Sequence, residues 1–285
     1  MEPITAIIVV KNNPPFIFKT ISSIKDLVNQ ILIIDIGIDK KLIQSLKKIK
    51  TIKIIKLKKE VLYVELIRDE IKQMAKTPYV FFLDPDEEIS QELKNIIKKN
   101  LEKYDYFKIP RKNIIFGKWI NHSRWWPDYQ IRLFKKDKVI WSKQIHKQPD
   151  VNGKEYKIEA KENLSIIHYN YKNLDEYLEK ARRYAKAEAK ELQSFSFSDA
   201  AKKALNEFIS RYFAYEGYKD GVYGFILSFL QMFYYFLVYF YYLEFKNFKT
   251  NDDIKPEYFF KQGLKETIFW KKDKNLKEKI IRKLL

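Results

Sequence analysis

Cysteine is absent from all 285 residues. Disulfides, thiolate metal sites and cysteine nucleophiles are excluded together, and the composition fits a reducing compartment, with the cytoplasm as the default. A leader is lacking too. Met1 to Val10 has no basic stretch before its apolar run and no small-residue cleavage site after it, so no signal peptide is expected. There is no internal repeat. The disordered class is also excluded, because 46% hydrophobic residues beside 32% charged ones carry too much apolar surface to stay solvated. The length allows a real core, and one large domain with a helical appendage fits it better than two equal domains.

The formal net charge of +18 calls for an anionic partner, and nucleic acid, an acidic membrane surface and phosphorylated substrates compete for that role. A nucleic-acid groove interleaves basic residues with exposed aromatics in one place. Here Lys is spread through every segment, so nucleic acid is not the expected partner.

The first hundred residues alternate short β-branched runs with amphipathic stretches, the order of a parallel sheet with crossover helices. Strands are expected at Thr5–Val10, Gln30–Asp35, Thr51–Leu57 and Tyr79–Leu83, and their nearly continuous apolar character fits strands covered on both faces. Helical spacing covers Pro15–Val28, Lys40–Lys48, Leu62–Lys76 and Ser90–Lys103. From Tyr104 to Asn170 the pattern shifts to short strands and turns rich in Trp, Tyr and Pro. After Asn173 it becomes helical, over Leu174–Gln193 and Ser198–Tyr215. The stretch Val222–Leu243 has no charged residue and many Phe, Tyr and Leu. Its length would span a bilayer, yet its tyrosines, Gly224, Ser228 and Gln231 suit a surface better. A membrane-surface or partner-binding helix, a buried core helix and a true span all remain open.

The strongest chemical signal is Phe81-Phe82-Leu83-Asp84-Pro85-Asp86-Glu87-Glu88, an apolar strand ending in four carboxylates within five residues. Such crowding becomes favourable when a divalent cation sits among the carboxylates, and such a cation bridges nucleotide phosphates and steadies a diphosphate leaving group. The plainer reading is an acidic helix N-terminus at Asp86–Glu88 that complements the helix dipole. Position favours the ligand site, since an open α/β sheet binds at the carboxyl ends of its strands.

These residues resemble the family 2 glycosyltransferases, especially the branch that builds lipopolysaccharide core and similar surface glycans. Thr5-Ala6-Ile7-Ile8-Val9-Val10-Lys11-Asn12-Asn13 resembles the family's opening strand and Lys-Asn-Glu turn. Ile31-Leu32-Ile33-Ile34-Asp35 resembles the strand whose last Asp reads uracil, and Arg68-Asp69 lies where the family has Arg-Asn. Leu83-Asp84-Pro85-Asp86-Glu87 resembles the Asp-x-Asp-Glu motif. The most specific match is Trp125-Trp126-Pro127-Asp128-Tyr129-Gln130-Ile131-Arg132-Leu133-Phe134-Lys135, similar to the acceptor-side signature of that branch.

The resemblance implies an α/β GT-A fold (Rossmann-like) with a C-terminal helical extension: a glycosyltransferase domain over 1–172, split into a nucleotide-binding half (1–103) and an acceptor subdomain (104–172), then a helical, membrane-associating region over 173–285. It implies a metal-dependent inverting transfer from a nucleotide-sugar donor, a UDP-sugar first, to a lipid-linked or cell-surface glycan, at the inner face of the cell membrane. Val10, Asn12, Asp35, Arg68 and Asp84 would contact the nucleotide. Asp84, Asp86 and His168 would hold Mn²⁺ or Mg²⁺. Asp35 could instead simply bound a loop, Arg68 could pair with Asp69 or Glu65 on a helix surface, and His168 could be a structural strand residue. Trp119, Trp125, Trp126 and Trp141 could stack on an acceptor sugar or fill the core.

Several positions depart from the family. Ile36 and Ile38 replace small polar residues, Asn13 replaces an acid, and Lys147 stands where the family has Glu after the His that His146 matches. A protonated Lys147 cannot accept a proton, so the base role passes to Asp128, whose alternative role is to hold its own loop by hydrogen bonds. A degenerate relative that binds nucleotide or glycan without turnover is the rival reading.

Overall fold

The computed structural model describes residues 2–61, 63–142, 148–250, 254–271 and 278. The chain forms two compact units, Met1–Asn113 with Pro127–Asn170, and Ile114–Trp126 with Tyr171–Leu285. The segment 114–126, expected in the acceptor subdomain, thus belongs with the helical unit.

The first unit is built on strands β1 (Ile4–Asn12), β2 (Gln30–Ile38), β3 (Ile52–Lys56), β4 (Tyr79–Leu83) and β5 (Glu87–Ile89), with helices α1 (Ile17–Ile24), α2 (Lys40–Leu46), α3 (Arg68–Lys72) and α4 (Gln91–Asn100) between and after them. Strands β3, β2, β1 and β4 lie side by side and parallel, as their apolar runs indicate. Strand alternation feeds two cores. Ile4, Ala6, Ile8 and Val10 pack with Ile17, Ile21, Leu42, Leu93 and Ile97, whereas Ile7 packs with Leu32, Ile34, Ile67, Ile71 and Phe82. Ser90 stops β5 and starts α4, its hydroxyl accepting from the Leu93 amide at 3.0 Å.

Two expectations are corrected here. The helix expected over Leu62–Lys76 shrinks to one 3₁₀ turn at Val64–Ile67 and the five residues of α3. Tyr63 is extended, and Pro78 disfavours helix in the residue before it. The acidic helix N-terminus at Asp86–Glu88 does not form, because Glu87–Ile89 are strand and the helix begins at Gln91.

The sheet continues through β6 (Tyr106–Ile115), β7 (Lys118–Trp119), β8 (Asp128–Lys135), β9 (Val139–Ile140), β10 (Asp150–Val151), β11 (Glu155–Lys157) and β12 (Ile166–Tyr171), where β9 and β10 form a separate pair. The hydrogen-bonded path from β4 runs β8, β6, β12, β5. Four strand spacings would carry β5 about 19 Å from β4 in a flat sheet, since neighbouring strands lie about 4.8 Å apart. Only Asp84, Pro85 and Asp86 link the two strands, and from Leu83 to Glu87 the chain reaches at most about 14 Å. The sheet therefore curls, drawing β4, β5, β6, β8 and β12 around the Asp84–Asp86 turn.

The second unit contains α5 (Leu174–Glu191), α6 (Phe197–Ile209), α7 (Val222–Phe245) and α8 (Pro256–Trp270). Asn173 caps α5, and Ser196 with Asp199 forms a reciprocal capping box on α6. A π-helical turn, Ser210–Ala214, follows α6 where helix was expected to run on to Tyr215. Helix α7 packs on α5 and α6 through Leu227, Val238 and Tyr239. Gly224 allows the backbone of Gly217 to approach, because a Cβ there would stand 1.8 Å from the Gly217 carbonyl oxygen.

Candidate functional site

The four carboxylates after β4 do not share one ligand. Asp84 and Glu87 share one arginine, whereas Asp86 and Glu88 face other partners, as the turn and the strand alternation dictate. The Asp84 amide donates to the Glu87 carboxylate at 3.0 Å and the Glu87 amide returns a bond to the Asp84 carbonyl at 3.0 Å, closing the turn. Glu87 points inward and is fully buried, whereas Glu88, its neighbour on the opposite face of β5, accepts from the Tyr169 hydroxyl at 2.6 Å. Tyr169 stacks on Phe16 with ring centroids 4.2 Å apart and also accepts from Lys19 at 3.2 Å.

Arg132 neutralises the inner pair. Its Nη2 donates to Asp84 at 2.5 Å and to Glu87 at 2.5 Å, and its side chain is 3% exposed. The aim comes from a β-bulge: Phe107 pairs Leu133 and Lys108 pairs Ile131, so Arg132 is the extra residue of β8 with no cross-strand partner. Burial works against charge at both groups, but ion pairing prevails. Arg132 is held far above its ordinary value by Asp84 and Glu87, and Asp84 is pulled well below the carboxylate range by Arg132, Arg68, His168 and Arg111. Arg68, at the start of α3, lies in the same field. Burial and the like charge of Arg132 lower it, while Asp84, Glu65 and Glu87 pull it back.

The second charge layer starts at Arg111, directly opposite Asp128 in the β6–β8 register. Arg111 reaches the Asp128 Oδ2 with Nη2 at 2.6 Å and Nε at 2.8 Å, and Glu87 with Nη1 at 3.3 Å. Asn113 donates to the same Asp128 oxygen at 3.2 Å, and Gln130 donates to the other at 2.7 Å. Burial raises the Asp128 pKa, but Arg111 and these amide donors lower it further, so the net shift is downward. Both oxygens of Asp128 are therefore occupied.

That arrangement fixes His168. Since the Asn113 amide nitrogen serves Asp128, its Oδ1 faces the His168 Nδ1 at 2.7 Å and accepts a hydrogen bond from the Nδ1–H. Nε2 is then the ring nitrogen that faces the Asp86 carboxylate, 3.7 Å away. A ring nitrogen facing a carboxylate is favourable with a proton or a cation between them. Strand β12 supplies this geometry by pairing His168 with Glu87 across the β5 ladder, while the Tyr169 amide donates to the Asp86 carbonyl at 2.9 Å. Among the described residues, no group of three or more His, Cys, Asp or Glu side chains forms a metal cage.

The remaining sequence candidates fall as follows. Asp35 ends the run of β2 beside Val10, and its Oδ1 accepts from the amides of Gly37 and Ile38 at 2.8 Å each, an Asx turn that leaves Oδ2 outside the turn. Asn12, just beyond Val10, adopts φ of 55°. His146 and Lys147 lie outside the described residues. Trp141 is a core residue, packed against Phe82 and Phe134. Trp119 and Trp126 meet edge to face at 5.4 Å in the second unit, where Arg211 lies over Trp125. Sequence reasoning missed Arg111, Asn113 and the role of Arg132. The signal was present as i, i+2 polar pairs on strands, Arg111 with Asn113 and Asp128 with Gln130.

A family model described as Glycosyl transferase family 2 matches residues 5–151, just over half of the chain. Among solved structures, that of S. aureus TarS 1-349 in complex with UDP is 12% identical, with a TM-score of 0.44, and the match covers 89% of this chain and 94% of that one. The longer crystal structure of S. aureus TarS is 15% identical, with a TM-score of 0.43 over 77% of this chain, and this chain spans 46% of its length. GalNAc-T7 with UDP, GalNAc and Mn²⁺ is 17% identical over 46% of this chain and 25% of that one, with a TM-score of 0.34. The family match begins in β1 and runs past the Asp84–Glu88 turn, Arg111, Asn113 and Arg132, so it contains most of the charge network. The chain belongs to glycosyl transferase family 2 and has a GT-A fold.

Proposed function

We propose that this protein transfers a sugar from a UDP-sugar to a lipid-linked or cell-surface glycan, with inversion and with a divalent cation, at the inner face of the cell membrane. The observation that supports it is the Asp86–His168 pair at the carboxyl end of β4, with His168 Nε2 oriented toward the carboxylate by the Nδ1 contact to Asn113. Imidazole nitrogen and carboxylate oxygen suit Mn²⁺, and Mg²⁺ binds through one or two carboxylates plus substrate phosphates, so two protein ligands suffice. Such an ion, when bound, neutralises the charge that develops on the leaving diphosphate.

The chain's own residues do the remainder. Asp35 Oδ2 accepts from the uracil N3–H, with its other oxygen immobilised by the Gly37 and Ile38 amides. Asp84 contacts the ribose, its carboxylate kept ionised and oriented by Arg132. Arg68 offers a permanently charged fork to the diphosphate from the start of α3. The acceptor hydroxyl attacks the anomeric carbon from the face opposite the leaving group. The new glycosidic C–O bond forms as the bond to the diphosphate oxygen breaks, UDP departs with that electron pair, and the hydroxyl proton is released to solvent. Asp128 is better suited to orienting His168 through Asn113 than to taking that proton, because a carboxylate with both oxygens engaged and a depressed pKa is a weak base. In this reading Asp128 is a positioning residue.

Calorimetric titration of UDP with Mn²⁺ and with EDTA tests the proposal, together with product analysis on a panel of UDP-sugars. UDP affinity that needs the cation and turnover to the opposite anomer support it. UDP binding without turnover on any donor would favour the degenerate relative.

A further inference from the structure

Helix α7 has two apolar faces, and among the described residues one is packed into the helical unit while the other is largely exposed, with ring contacts at Phe225. Leu227, Val238 and Tyr239 turn toward α5 and α6. At 100° per residue, Val222, Phe225, Ile226, Phe229, Phe233 and Phe240 fall within an arc of about 100° on the other side. All six are 36% to 63% exposed. The stripe runs about 27 Å along the helix, from eighteen rises of 1.5 Å. Aromatic neighbours widen it: Phe225 meets Phe208 at 6.1 Å and Tyr212 at 5.8 Å, and Phe240 stacks with Phe236, which meets Phe197 at 6.3 Å. A contiguous patch of this kind marks an interaction surface.

Charge selects the occupant. A second copy of this chain brings the same +18 and repels the first, whereas an anionic lipid surface attracts both. Lys186 and Lys190 of α5 and Lys203 of α6 lie over Tyr241, Phe245 and Tyr235 on the packed side of α7, so the attraction comes from the net charge of the chain rather than from these lysines. Helix α7 is long and apolar enough to cross a membrane by length and composition. Its packing argues against a span. Gln231 donates to the Tyr177 hydroxyl at 2.7 Å and the Tyr234 hydroxyl donates to Glu188 at 2.7 Å. Crossing would therefore carry α5 with it, including Glu179, Arg182, Arg183 and Lys186, into hydrocarbon, where each charge is costly.

We propose that the phenylalanine stripe of α7 lies in the plane of an anionic bilayer, with its rings at the headgroup–acyl boundary and α5 and α6 on the water side. This deepens the membrane-side reading of the acceptor and rests on it. It leaves the donor site untouched.

The test is flotation of the whole protein with phosphatidylglycerol-containing and pure phosphatidylcholine vesicles, at low and high salt, followed by carbonate extraction. The expected result is binding to the anionic vesicles, weakened by salt and released by carbonate. Phe229→Ser with Phe233→Ser should lower partitioning about 10-fold per ring, equivalent to about 1.4 kcal/mol each, because a buried aromatic ring contributes at least that much. UDP titration of the same variant checks that the fold survives. Unchanged vesicle binding in the variant, retention after carbonate, or concentration-dependent dimers that the variant abolishes would each overturn the proposal. In the wild-type protein, absence of UDP affinity with vesicle binding present would count against the donor reading alone, and the reverse result against the docking surface alone.

Discussion

Replacing Arg132 with Met keeps most of the aliphatic stem and deletes the guanidinium, which leaves two carboxylates beside each other with one distant partner. Glu87 is fully buried and would retain Arg111, at 3.3 Å, as its charged partner beside the Asp84 amide at 3.0 Å. Removing one member of a buried ion pair typically costs about 3–5 kcal/mol, most of it the charge left behind. For a unit of this size each kcal/mol moves the melting temperature by about 2–4 °C, so Arg132→Met should melt roughly 6–20 °C below wild type. Adding Glu87→Gln to that background should recover a large part of the loss, because it removes the stranded charge. The effect carries a pH signature. The folded pKa of Asp84 is depressed by Arg132, so its stabilisation is complete above the ordinary carboxylate value of about 3.9 and is lost as pH falls through the folded value. The gap between wild type and Arg132→Met should thus narrow below about pH 4. Scanning calorimetry between acid and neutral pH measures both effects. A melting temperature within 2 °C of wild type, by that same scale of about 2–4 °C per kcal/mol, would refute the assignment of Arg132 as the internal counter-charge.

Further outcomes follow from the same geometry. Asn113→Ala breaks the link from Asp128 to His168 and should weaken Mn²⁺-dependent UDP affinity by about 10–100-fold, the usual effect of losing an outer partner of a metal-binding His, as read by calorimetric titration. Asp128→Asn should reproduce that loss in Mn²⁺ dependence; transfer abolished while Mn²⁺-dependent UDP affinity stays normal would restore Asp128 as the base. Gly224→Ala forces a Cβ onto the Gly217 carbonyl and should destabilise the helical unit by about 1–3 kcal/mol or more, read as lost helical ellipticity at lower temperature.

The parallel half of the sheet was legible because its strands are apolar on both faces: Tyr79–Leu83 is observed with the expected bounds, and Gln30–Asp35 extends only to Ile38. The Asp84–Glu88 cluster stood out in the sequence for the same reason, since charge at the end of a buried strand has to be answered by something. What answers it was hidden. Arg132 reaches Asp84 from 48 residues away through a β-bulge, and a bulge leaves no mark in a residue pattern. The three-residue strand β5 is too short for a period to show, so the sequence offered Glu87 as part of a cation site or of a helix start, not as a buried partner of two arginines. For α7 the composition left surface, core and span open, and only the packing on α5 and α6 separates its two apolar faces.

The most direct test of the Asp86–His168 centre is calorimetric titration of UDP into wild type and Asp86→Asn, each with Mn²⁺ and with excess EDTA. Wild type should bind only with the cation, and Asp86→Asn should lose that binding while its melting temperature stays near wild type. Full UDP affinity of the wild-type protein in EDTA would contradict the assignment.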